Sequence, residues 1–128
     1  MVYAALDRNP YHAIFQEIVR RLGKLPWPAP GEPWMFALGA PVLEGLYREA
    51  GFQNVSVHAA PITRRFPSAA AAVGNMKKAA GDLKELMTQL NEADQERAWT
   101  EIAEQFKQFE GPNALEIPGE VLIGVGTK

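Results

Sequence analysis

The side chains able to do chemistry are few. His12 and His58 are the only two histidines, and the only side chains whose ordinary titration lies near neutrality. His12 falls in the first turn of a predicted helix, where it could act as a general acid or base. His58 alternates onto the polar face of a predicted strand, the position of a solvated residue. Asp7 has no second carboxylate at a fixed spacing. Glu116 and Glu120 flank Pro118-Gly119, which is the pattern of a turn rather than of an acid–base pair. Ser56 and Ser68 lack the G-x-S-x-G context of an activated serine. The chain has no cysteine, so disulfides, thiolate metal sites and cysteine nucleophiles are excluded. Neither G-x-G-x-x-G nor a P-loop is present, and Gly119, Gly124 and Gly126 do not stand between a strand and a helix. Arg20-Arg21, Arg64-Arg65 and Lys77-Lys78 are the local basic clusters, and pairs of this kind ordinarily form solvated faces.

The elements that must carry these residues are easier to read. Val2–Leu6 is a short apolar run that predicts a strand. Asn9 and Pro10 suit the N-cap and first position of a helix, and Tyr11, Ile14, Phe15, Ile18, Val19 and Leu22 follow at helical spacing until Gly23 stops it. Residues 24–40 hold four prolines, with Trp27, Trp34, Met35 and Phe36, and read as an ordered extended cap. Pro41 opens a helix whose apolar face is Leu43, Leu46, Tyr47 and Ala50. Gly51 suits the left-handed C′ position, and Phe52 at C″ can pack back on Tyr47. Val55–Ala60 alternates as a strand, which Pro61 interrupts or ends and ITRRF could continue. Residues 68–110 predict three helices, with Ser68 as the first N-cap, a D-x-x-E box at Asp82–Glu85 and Gly111-Pro112 as the stop. The stripes at 11–15 and 99–109 read as core. Val121, Leu122, Ile123 and Val125 form a continuous apolar strand, which implies burial on both faces.

The 128 residues amount to one domain, 47 % apolar, with a net charge of −2 that offers no basic field for a nucleic-acid partner. No apolar run approaches the roughly 20 residues of a membrane helix, and the N-terminus lacks a signal-peptide pattern, so a cytoplasmic protein without a membrane partner is expected.

DRNP with its amphipathic helix, PWMFALGAPVLEGLYREAGFQNVSV, RFPSAAAAV and FEGPNALEIPGEVLIGVGTK occur in this order across essentially the whole chain. Together they resemble the C-terminal portion of a class I S-adenosylmethionine-dependent methyltransferase, of the ubiquinone/menaquinone-biosynthesis type. The resemblance implies an α/β fold comprising strands 5, 6 and 7 of that family's sheet, Val2–Leu6, Val55–Ala60 and Val121–Val125 respectively. The last is antiparallel and central, and a helical insertion at 68–110 precedes it. The family's cofactor turn, D/E-x-G-x-G, and its acidic partner belong to the first half of its fold and are absent here. Ala40 stands where an N-cap aspartate would be expected.

The resemblance therefore implies transfer of a methyl group to a small apolar acceptor only when a cofactor-binding half completes the chain. It implies neither catalytic nor cofactor residues here, and no binding of S-adenosylmethionine by this chain alone. What carries over is the acceptor side, beyond the carboxyl ends of the strands. Asn9, His12, Arg64, Phe66 and Leu115 fall there, with Trp34, Met35 and Phe36 as a cap. The same side chains would equally serve to close a core. The alternative is a non-catalytic module, derived from a methyltransferase, that binds a small ligand or dimerises. A first strand without its strand-4 neighbour leaves an open edge, so a homodimer or larger assembly is expected.

Overall fold

The computed structural model describes residues 2–3, 6–29, 40–78 and 82–127. The protein is mixed α/β. Strands β1 (Val2–Tyr3), β2 (Gln53–Phe66) and β3 (Leu115–Thr127) form one sheet in the order β1-β3-β2. The last strand in sequence is thus the middle one, and β1 pairs with it antiparallel, Val2 opposite Leu122 and Tyr3 opposite Val121. The helices are α1 (Pro10–Gly23), α2 (Ala40–Glu49), α3 (Ala69–Lys77), α4 (Asp82–Thr88) and α5 (Glu92–Phe106). Two compact units result. One takes residues 1–10, 28–62 and 118–128, and the other takes 11–27 and 63–117.

In the first unit, α2 ends as its sequence predicts. Gly51 has a φ of 91°, its N–H donates to Arg48 C=O at 3.0 Å, and the Phe52 N–H donates to Tyr47 C=O at 3.0 Å. These two bonds satisfy carbonyls that the last helical turn would otherwise leave bare. The Phe52 ring sits 5.3 Å from that of Tyr47. Both rings need a flat floor. Gly124 and Gly126 of β3 provide it, since a Cβ at Gly124 would stand 2.9 Å from the Tyr47 ring and one at Gly126 would stand 3.0 Å from Phe52.

The predicted apolar face of α2 is narrower than its periodicity suggests. Leu43 is buried with Leu122, beside Tyr47 and Val57, but Leu46 and Ala50 are exposed. A sheet of three strands, with a glycine strip where α2 lies, gives the helix only a thin apolar surface to cover. Two-sided burial of β3 likewise holds at Val121 and Leu122 and lapses at Val125, which is exposed.

The strands differ from expectation at their ends. Leu6 leaves β1, because the Asn9 N–H donates to its carbonyl at 3.0 Å and a 3₁₀ turn runs from Leu6 to Arg8; Ala4 and Ala5 lie outside the described residues. Strand β2 passes through Pro61 without a break. As an edge strand it can turn a residue without an N–H away from its neighbour at no cost in ladder bonds. Strand β3 begins at Leu115, six residues before the apolar run that marks it.

The second unit is the larger core. Phe15, Val19, Ala72, Ile102, Phe106, Leu115 and Ile117 are fully or almost fully buried there. Ser68 caps α3 by accepting from the Ala71 N–H at 3.1 Å, as expected. Asn91 caps α5 by accepting from the Asp94 N–H at 2.8 Å, and the last turn of that element tightens to a 3₁₀ helix at Lys107–Phe109. Helix α1 ends one residue later than its glycine suggests. The left-handed residue is Lys24, with a φ of 52°, and the Leu25 N–H closes on Arg20 C=O at 2.9 Å. Gly23 packs against Leu90, and a Cβ there would stand 2.7 Å from the Leu90 Cδ1 methyl, which would have to move aside. A left-handed conformation costs a residue with a Cβ about 1 kcal/mol relative to glycine. Lys24→Gly should therefore raise the unfolding free energy by about 1 kcal/mol in urea denaturation, and an unchanged or lower value would contradict the assignment.

Candidate functional site

Two of the residues expected to face an acceptor meet directly. His12 is buried in the first turn of α1, and Arg64 is half-buried near the end of β2. Arg64 reaches that position because the alternation of β2 slips. Val55 and Val57 are half-buried, His58 and Ala59 are both exposed, and from Ala60 onward the even-numbered residues Ile62, Arg64 and Phe66 are the covered ones. Without the slip, Arg65 would occupy the covered phase instead.

Arg64 Nη2 lies 3.4 Å from His12 Nε2. A guanidinium has only donors, so Nε2 is the acceptor and the neutral ring carries its hydrogen on Nδ1. Burial, and secondarily the adjacent Arg64 charge, lower the His12 pKa from 6.5 to about 4. The Arg64 guanidinium also stands 4.8 Å from the centre of the Tyr11 ring. The Tyr11 ring is nearly parallel to those of Phe66 and Phe106, with centroids 5.8 and 5.6 Å away. Its hydroxyl accepts from Asn75 Nδ2 at 3.0 Å.

This arrangement suits holding better than proton transfer. A general base works best when its pKa lies near the working pH, and His12 is held far below it. Leu115 is fully buried in the surrounding core. Asn9 belongs to the other unit, where it spans the backbone of Glu120, donating from Nδ2 to its carbonyl and accepting its N–H at Oδ1, both at 3.1 Å. Trp34, Met35 and Phe36 lie outside the described residues. Tyr11 and Asn75 were not among the expected site residues. Tyr11 falls in an apolar stripe and reads as core, and only the need of a buried phenol for a partner hints at more.

The basic pairs are spread among separate contacts. Arg20 donates to Gln16 and to the Pro26 carbonyl and lies 5.1 Å from the Trp27 ring centre. Arg21 pairs with Glu101 at 2.8 Å, and Arg65 pairs with Glu116. Among the described residues no cluster of three or more His, Asp or Glu could hold a metal ion, and no helix is long and apolar enough to cross a membrane. No protein-family model matches the chain, and none of the curated proteins matches it.

Proposed function

We propose that this chain is the acceptor-side part of an S-adenosylmethionine-dependent methyltransferase acting on a small apolar molecule, and that it does not bind the cofactor by itself. The observation that carries the reading is the strand order. A terminal strand placed between two earlier strands, and antiparallel to the first, agrees with the arrangement that the sequence resemblance implies. The residues present do not fit the cofactor. The one G-x-G in the sequence, Gly124-Val125-Gly126, lies inside β3 with Tyr47 and Phe52 filling the space above it. No step of a transfer reaction is therefore assigned to these residues.

The test is calorimetric titration of S-adenosylmethionine into the 128-residue chain, and into the chain extended by whatever is encoded upstream of Met1. The expected result is no binding to the first and micromolar binding to the second. Micromolar binding to the chain alone, or none to the extended form, overturns the proposal.

A second reading, self-association of a non-catalytic module, draws on three exposed apolar residues of the first unit, Val42, Leu46 and Val125. Light scattering at tens of micromolar should then report a dimer or larger species, and a monomer would rule it out.

A further inference from the structure

The second unit contains a half-open cavity of about 220 Å³ that shares no residue with the His12–Arg64 cluster. Its floor is Phe15, Met76, Leu83 and Met87, and the indole of Trp99 forms one wall. The floor residues are buried, while the polar lining residues Lys77, Lys84 and Thr88 are exposed. Two of these, Lys77 and Lys84, carry ammonium groups. Lys77 Nζ is 5.4 Å from the Trp99 ring centre, which keeps one positive charge over the opening. Thr88 and Gln95 are the other polar lining residues, and none of the described lining side chains is a carboxylate.

We infer that this cavity binds a small amphipathic carboxylate, an apolar chain or single ring ending in one acidic group. The inference does not rest on the methyltransferase reading. Three features carry it. The space falls below the roughly 300–1,000 Å³ that accommodates drug-sized ligands, so the apolar part must be small. The two thioethers let the floor adapt to chains of different shape, since methionine has freely rotating bonds and a polarizable sulfur. Among the described lining side chains the mouth carries two positive charges and no negative one, so they favour an anion over a neutral or cationic head of the same length. An acid seated this way would bury its chain against Phe15 and Met87 while its carboxylate stayed near water, between Lys77 and Lys84.

The test is methyl NMR of the whole chain labelled at methionine, titrated with octanoate, 1-octanol and octylamine below their micelle concentrations. Octanoate should shift the Met76 and Met87 signals saturably. Octanol should bind about tenfold more weakly, the loss expected for a charge-assisted contact, and octylamine more weakly still. The double variant Lys77→Gln/Lys84→Gln changes only exposed side chains. It should lower octanoate affinity about tenfold, to that of octanol, without altering octanol binding. Leu83→Trp fills the cavity and should abolish both. Equal affinity for the three heads overturns the inference, as does an absence of saturable shifts at Met76 and Met87. Octanoate binding unchanged in the lysine double variant, or retained by a folded Leu83→Trp, does the same.

Discussion

Phe106→Ala is expected to lower the unfolding free energy by about 3–5 kcal/mol. Phe106 is fully buried at the end of α5 and stacks on Tyr11 at 5.6 Å with the planes 7° apart. Removing the ring deletes its transfer free energy and leaves a void that neighbours as large as Phe15 and Ile102 can only partly close. The stack adds a share of its own, about 0.5–1.5 kcal/mol for an aromatic pair. A typical domain has only about 5–15 kcal/mol in hand, so the variant sits close to unfolding and urea denaturation will show it directly. Phe106→Leu keeps most of the volume and should cost about 1–2 kcal/mol, which provides a folded comparison. The consequence reaches the cluster. Tyr11 stacks with both Phe106 and Phe66 and meets the His12 ring edge-on at 5.2 Å, so in Phe106→Leu the His12 ring resonances should shift as the phenol loses one stacked neighbour. A loss below about 1 kcal/mol in Phe106→Ala would mean that the stack is not part of the core.

What the sequence made legible was local. The joint at Gly51-Phe52 involves residues within six positions of one another, and its glycine, helix end and aromatic are all visible in the order of letters. The side-chain cap at Ser68 is local in the same way. Where a glycine served something distant, the same reasoning failed. Gly23 looks like a helix stop, yet its missing Cβ accommodates Leu90, sixty-seven positions away, and the turn is made by Lys24. The family resemblance names His12, Arg64, Phe66 and Leu115 together, but periodicity alone does not bring them to one place. Alternation along Val55, Val57 and Ala59 predicts which residues of β2 are covered only while its phase persists, and the slip at His58-Ala59 moves Arg64 into the covered set. His12 and Arg64 are fifty-two positions apart, and nothing in either neighbourhood announces the other. Asn9 shows the limit again. It stands where a helix cap belongs, and its amide also bonds the backbone of Glu120, 111 positions away, which its neighbourhood in sequence does not announce. The placing of β3 between β1 and β2 followed from the resemblance to a family and not from periodicity, which can mark a strand as doubly buried without naming its neighbours.

His12 should give the protein a stability that falls as the pH drops from about 6.5 toward 4. Its folded pKa is lowered to about 4 from the 6.5 of an exposed histidine. Above 6.5 the ring is neutral whether the chain is folded or not, and the full stability is present. Between the two values the unfolded chain takes up a proton that the folded chain refuses, so unfolding is favoured progressively; below 4 both forms are protonated and the slope from this group ends. One pKa unit corresponds to about 1.4 kcal/mol, and with allowance for solvent screening the whole step amounts to about 2–3 kcal/mol. Carboxylates titrate near its lower end, so the measurement must be a difference. Urea denaturation of the protein and of His12→Gln, whose amide oxygen can still accept from Arg64 but does not titrate, should give curves that diverge across this window, with the variant losing less. The origin of the shift can be separated as well. Burial is the larger cause and the Arg64 charge the smaller. Arg64→Met should therefore raise the His12 pKa only part of the way, leaving it below 6.5 in an NMR titration of the ring. A return to 6.5 in that variant would make the guanidinium the dominant cause, and a His12 that titrates near 6.5 in the unaltered protein would mean that the ring is not buried against it at all.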